Sequence, residues 1–116
     1  MFFRIDPDSA EPIFEQIAGC VRIAALAGDL AAGEKLPPAR QLAESLNVNV
    51  HTVLRAYQDL RDEGLIELRR GRGATVTERV TGYRTLEKQL EAMVAEAGAQ
   101  GISPRTLAAL LRDTRS

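Results

Sequence analysis

The side chains best suited to chemistry lie in two short stretches. Asn49, His51, Thr52, Arg55 and Gln58 form the first, and Arg69, Arg70 and Arg72 surround Gly71 and Gly73 in the second. These types donate and accept hydrogen bonds at base edges and phosphates more readily than they break bonds. An enzyme needs acids, bases or nucleophiles converging on a pocket. The chain has 1 Cys and 1 His, and Cys20 and His51 fall on different expected helices and faces. Gly71-Arg72-Gly73 sits between expected strands and lacks the Lys-Ser/Thr that follows a phosphate-binding loop. One histidine and one cysteine exclude a multi-histidine metal site, a cysteine cluster and an internal disulfide within one chain. We therefore expect no catalysis, no metal and no cofactor.

The elements that position these residues follow from periodicity. Val53, Ala56, Tyr57 and Leu60 recur at three and four, which predicts a helix over about 50–63 with Gly64 as its stop. With Val53 at the centre of the buried face, a turn of about 100° per residue puts His51 and Arg55 nearly opposite and Gln58 close by. From there Arg55 can pair bidentately with guanine O6 and N7, for about 1–3 kcal/mol of discrimination, or pair with Asp59 four residues on. His51 either makes a polar contact to DNA or is simply exposed. Asn49 precedes the helix and can cap its free N–H groups; alternatively Asn49 and Thr52 touch phosphate. Tyr57 falls on the buried face and belongs to the core.

A shorter helix over about 38–46 precedes this one, with Leu42 and Leu46 four apart and Asn47 breaking it. Two short helices joined by three or four residues make a helix-turn-helix. After them, Leu65–Arg69 alternates as a strand, Gly71-Arg72-Gly73 is a tight turn and Ala74–Thr77 suits the return strand. That hairpin adds a wing with its arginines at or near the tip. Before them, Pro12, the stripe Ile13, Ile17, Val21 and Ala24 or Ala25 with Phe14 widening it, and Gly28 predict a helix over about 11–27. Cys20 projects with Ile13 and Ile17, so a buried apolar thiol is expected. Phe3 and Ile5 suit a short strand, Asp6–Ser9 a turn, and 32–38 a turn-rich connector.

Past a connector at about 79–83 the pattern changes. Leu86, Leu90, Met93, Val94 and Ala97 form one helical stripe ended by Gly98 and Gly101. Ser103-Pro104 starts a second helix carrying Leu107, Leu110 and Leu111. Two helices in so short a stretch cannot bury both stripes alone. They pack on the winged domain, on another copy, or on both.

The bulk composition fits one compact domain with an appendage. The chain has 116 residues, 45% apolar and 27% charged, the balance of a soluble globular protein. No apolar run approaches a membrane span. The opening lacks the basic and apolar regions of a signal peptide, so the cytoplasm is the expected location. Net charge is −1, yet residues 35–79 carry 8 basic and 6 acidic groups where residues 1–34 carry 2 and 6. Affinity for DNA would then come from placed arginines rather than a bulk positive field.

These stretches also resemble a known family. Pro12-Ile13-Phe14-Glu15-Gln16-Ile17 and Gly28-Asp29-Leu30, then Gly33-Glu34-Lys35-Leu36-Pro37, resemble the opening of GntR-family DNA-binding domains. Arg40-Gln41-Leu42-Ala43 is similar to that family's second helix. Asn49, Thr52-Val53, Arg55-Ala56-Tyr57, Leu60 and Glu63-Gly64-Leu65-Ile66 resemble the third, and Gly71-Arg72-Gly73 with Val76 the wing. The order and spacing hold over about residues 10–78. The third-helix variant and short tail are similar to the YtrA-type subfamily, whose two C-terminal helices dimerise. The resemblance implies a DNA contact for Arg40, whose plain alternative is a solvated side chain. It also implies repression over activation. Val50 and Leu54 stand where many members carry arginine, so base contacts should differ. Pro38 and Ala39 replace a more usual Ser-Glu or Ser-Val pair.

The expected architecture is mainly α with a small β-hairpin wing: a winged helix-turn-helix domain over 1–78 and a two-helix dimerisation region over 79–116. The expected function is a dimeric regulator that binds an inverted-repeat operator through helix 50–63 and wing 69–73. The DNA-contacting set is Arg40, Asn49, His51, Thr52, Arg55, Arg70, Gly71, Arg72 and Gly73. The dimerising set is Leu86, Leu90, Met93, Val94, Leu107, Leu110 and Leu111. Two alternatives stand beside it: a winged module that binds only protein, and a regulator controlled by a metabolite held at the dimer interface.

Overall fold

The computed structural model describes residues 3–114. It divides into two compact units, one ending at Thr85 and one starting at Leu86. The leader reading falls partly on Met1 and Phe2, outside the described residues. No helix among the described residues is long and apolar enough to cross a membrane.

Helix α1 (Ile13–Ala27) starts after Pro12 and buries Ile17, Ala18, Val21, Ala24 and Ala25. It ends as its sequence dictates. Gly28 takes a left-handed φ of 80° and the Asp29 amide donates to the Ala24 carbonyl at 2.9 Å, which satisfies a carbonyl the helix leaves open. Cys20 is half-exposed rather than buried. It lies at the edge of the stripe, where its thiol faces the Arg4 carbonyl at 3.5 Å. Phe3 and Ile5 form no strand. They pack half-buried against the core, and the Asp6 amide is taken by the Gln16 side chain at 2.6 Å, so the segment is tied to α1 and not to a sheet edge.

Helix α2 (Ala39–Leu46) follows Pro38 without a side-chain cap and buries Leu42 and Ala43. Asn47 is left-handed with φ 57°, and the Val48 amide reaches the Ala43 carbonyl at 3.0 Å. Helix α3 (Val50–Asp62) buries Val53, Ala56, Tyr57 and Leu60. The Leu65 amide closes onto the Leu60 carbonyl at 3.0 Å, and Gly64 turns the chain with φ 84°.

Strands β1 (Ile66–Arg69) and β2 (Gly73–Val76) are antiparallel, with Ile66 opposite Val76 and Arg69 opposite Gly73. The connector before α2 is more ordered than its composition suggests. Gly33 and Leu36 amides donate to Val76 and Ala74 carbonyls, and the Val76 amide donates to Glu34. Residues 33–36 thus line the other edge of β2, with Lys35 bridged to Thr75. The inward side chains of the hairpin, Ile66, Ala74 and Val76, join the α1–α3 core.

Helix α4 (Val80–Ala99) begins where a connector was expected. Val80 is buried in the core of the first unit, so an apolar anchor starts the helix early. In the second unit, Gly98 lies inside α4. The turn comes at Gly101, with φ 77° and an Ile102 amide bond to the Ala97 carbonyl at 2.8 Å. Helix α5 (Pro104–Asp113) has Ser103 as its cap, accepting from the Thr106 amide at 3.1 Å.

Candidate nucleic-acid interface

The N-terminal half of α3 carries the polar face. Asn49 Oδ1 accepts from the His51 amide at 2.8 Å, so its side chain is engaged as a cap. His51, Arg55 and Gln58 are exposed and Thr52 is half-buried. That is the pattern set by a helix whose opposite face holds Val53, Ala56, Tyr57 and Leu60. Val50 and Leu54 are half-buried, and Val50 packs against the core. The first is therefore drawn inward and does little to extend the polar face.

Arg55 does not pair with Asp59. Its guanidinium carbon lies 3.7 Å from the centroid of the Phe14 ring, on α1. The distance fits a cation–π stack. Arg40 is exposed on the first turn of α2, and no ion-pair partner holds it among the described residues.

The tip of the wing is exposed throughout Arg69–Gly73. Gly71 and Gly73 have φ of 80° and 74°, a region that L side chains rarely enter. The Arg72 amide is spent inside the turn, donating to the Arg69 carbonyl at 2.9 Å, so that N–H is not free for a phosphate. Arg69 leans on Glu67 at 3.4 Å with both exposed, a pair of little energetic weight.

Three features behind these surfaces left no signal in residue spacing. Tyr57 hydroxyl donates to the Pro37 carbonyl at 2.6 Å, which ties α3 to the entry of α2. Burial pushes that phenol well above its ordinary range. Arg22 on α1 grips Glu63, the C-cap of α3, at 2.8 Å, and Tyr83 on α4 donates to the same carboxylate. Burial, then the bond to Glu63 and its charge, pushes the Tyr83 phenol up to about 12. Burial works to lower the Arg22 pKa, and Glu63 outweighs it, leaving it raised. The C-terminal end of α3 is thus locked to α1 and to the first turn of α4.

In the second unit Leu86, Leu90, Met93, Val94, Leu110 and Leu111 are exposed, and Leu107 is half-buried.

Comparison with known proteins agrees with this geometry. The chain is 39% identical over 105 residues to the HTH-type transcriptional repressor YtrA of Bacillus subtilis (strain 168), covering 85% of this chain and 81% of that one. Among solved structures it is similar to YtrA from Sulfolobus acidocaldarius, a GntR-family transcription factor, at 36% identity with a TM-score of 0.63, over 84% and 97% of the two chains. It is also similar to AraR(DBD) in complex with operator ORX1, at 25% identity with a TM-score of 0.57, over 64% and 92%. Residues 14–76 match the family described as "Bacterial regulatory proteins, gntR family". The chain therefore belongs to the GntR family of DNA-binding transcriptional regulators and carries that family's winged helix-turn-helix.

Proposed function

We propose that this chain is a homodimeric transcriptional repressor of the YtrA type, acting in the cytoplasm and having no catalytic role. The exposed polar face of α3 is the observation that carries the DNA-reading half of this proposal. Residues over 50–63 enter the major groove, with Arg55 and His51 at base edges. Arg40, Thr52, Arg70 and Arg72 contact phosphates, and the wing over 69–73 lies along the backbone or minor groove. Asn49 serves chiefly as the cap. Gly71 and Gly73 give the tip its shape.

Dimerisation is supported by the uncovered stripes of α4 and α5. Leu86, Leu90, Met93 and Val94 on one helix and Leu107, Leu110 and Leu111 on the other meet their equivalents in a second copy. A two-fold dimer would place two α3 helices in successive major grooves of an inverted repeat, about 34–36 Å apart. Repression is supported by the name of the Bacillus subtilis relative. Effector control, if the cell uses it, acts between the paired tails. A small-molecule pocket takes about 300–1,000 Å³, which two helices would form only by pairing with those of a second copy.

The test starts with in vitro selection of randomised duplexes by the purified full chain. The enriched duplex and a scrambled one are then titrated by fluorescence anisotropy at several salt concentrations. We expect enrichment of an inverted repeat and a strong salt dependence. Arg55→Ala should lower the selected-to-scrambled affinity ratio at least tenfold. Arg72→Ala should weaken both duplexes alike and reduce the salt slope by about one. No enrichment, with no binding at low salt, would overturn the reading.

A further inference from the structure

We propose that Phe14 is a positioning residue for DNA recognition, its ring holding the Arg55 guanidinium ready for base readout from a different helix. The proposal rests on the base-reading role given to Arg55 above.

A guanidinium is planar, with its five N–H groups directed outward in that plane. A ring stacked at 3.7 Å covers one face and leaves the edge donors free. Those donors are the part a bidentate contact to guanine uses. Asp59 stands one helical turn away and would consume the donors in an ion pair. No such pair forms, and among the described residues no group accepts a hydrogen bond from Arg55. The side chain is held with its hydrogen-bonding capacity unspent.

The holder is itself well fixed. Phe14 is half-buried against the core, on the first turn of a helix anchored by fully buried Ile17, Ala18 and Val21. A free arginine loses side-chain conformational freedom when it binds. The ring removes part of that freedom before DNA arrives. Specificity at one base pair then depends on an α1 side chain that need not touch the duplex.

The experiment measures the affinity ratio for the selected and scrambled duplexes in wild type, Phe14→Leu, Phe14→Met, Phe14→Tyr, Arg55→Lys, Arg55→Ala and the Phe14→Leu/Arg55→Ala pair. Thermal melts accompany each variant. Phe14→Leu and Phe14→Met should lower the ratio two- to fivefold, equivalent to about 0.4–1 kcal/mol, while Phe14→Tyr retains it. Arg55→Lys should lose the ratio like Arg55→Ala but keep the wild-type salt slope, since an ammonium cannot reproduce the planar fork. Phe14→Leu should cost nothing further in the Arg55→Ala background.

If Arg55→Ala loses the ratio and both Phe14→Leu and Phe14→Met keep it, Phe14 is only a packing residue and the proposal is overturned alone. Multiplicative losses in the double variant would have the same meaning. An unchanged ratio in Arg55→Ala would instead remove the base-reading role, and the proposal with it. Should Phe14→Leu fail to fold, Phe14→Met fills a similar volume without a π face.

Discussion

Residues 3–85 and residues 86–114 use the same apolar residue types with opposite outcomes. In the first stretch Ile17, Val21, Val53, Leu60 and Leu65 are fully enclosed. In the second, Leu86 is 56% exposed, Met93 43% and Leu111 49%, and α5 buries no side chain. The difference is one of element number. Three helices and a hairpin can surround a common centre, so each stripe meets several others. Two helices carrying one stripe each cannot enclose both stripes by themselves. A periodic stripe is thus a core only when other elements cover it, and otherwise it stays exposed.

The enclosed core of residues 3–85 depends most on Leu60, which has no exposed surface. Leu60→Ala should cost about 3–4 kcal/mol and lower the melting temperature by about 10 °C or more, read by circular dichroism. Leu90→Lys should do the reverse. It should leave the fold of residues 3–85 intact by limited proteolysis while sedimentation velocity shifts from dimer to monomer and affinity for the inverted repeat falls at least tenfold. If Leu90→Lys unfolded the first region, the contrast between the two would collapse.

Each region also carries one helix held by a side-chain cap. Asn49→Ala and Ser103→Ala each remove one amide acceptor, at about 1 kcal/mol. The first loss should appear in the melt of the winged domain at any protein concentration. The second should appear in the dimer dissociation constant. A concentration-independent effect of Ser103→Ala would place the tail helices with the domain's own stability.

The smallest effect is expected at alkaline pH. The Tyr83 phenol is raised to about 12 in the fold from about 10 when unfolded. The unfolded chain therefore loses this proton first. Its contribution to stability is present below about pH 10 and declines as pH rises toward 12. Tyr83→Phe should show a shallower decline than wild type in denaturant melts between pH 9.5 and 11.5, roughly the window those two values define. Tyr57, also raised by burial, supplies the remaining slope.

Much of the winged domain was legible because its signals are local. Gly28, Asn47 and Gly64 ended their helices with left-handed turns at the expected places. Asn49 and Ser103 capped as their types suggest. The exposed set His51, Arg55 and Gln58 followed from helical phase alone. The failures involve partners distant in sequence. Alternation at Phe3 and Ile5 promised a strand, but a strand needs a free edge, and α1 took the backbone instead. Residues 33–36 show no alternation, yet they pair with β2 because its outer edge was open. Residues 79–83 were expected as a connector, but buried Val80 starts the helix there.

Residue order alone settled which faces are apolar, where α1, α2 and α3 end, and which polar residues of α3 stay in water. These depend on backbone preferences and on periodicities only a few residues long. What each exposed group leans on was fixed by packing between helices. Arg55 chose the ring of Phe14 over the carboxylate of Asp59, and Glu63 drew together Arg22 and Tyr83 from two other helices. Such pairings are set by how helices pack around the core, and spacing along the chain carries no record of that.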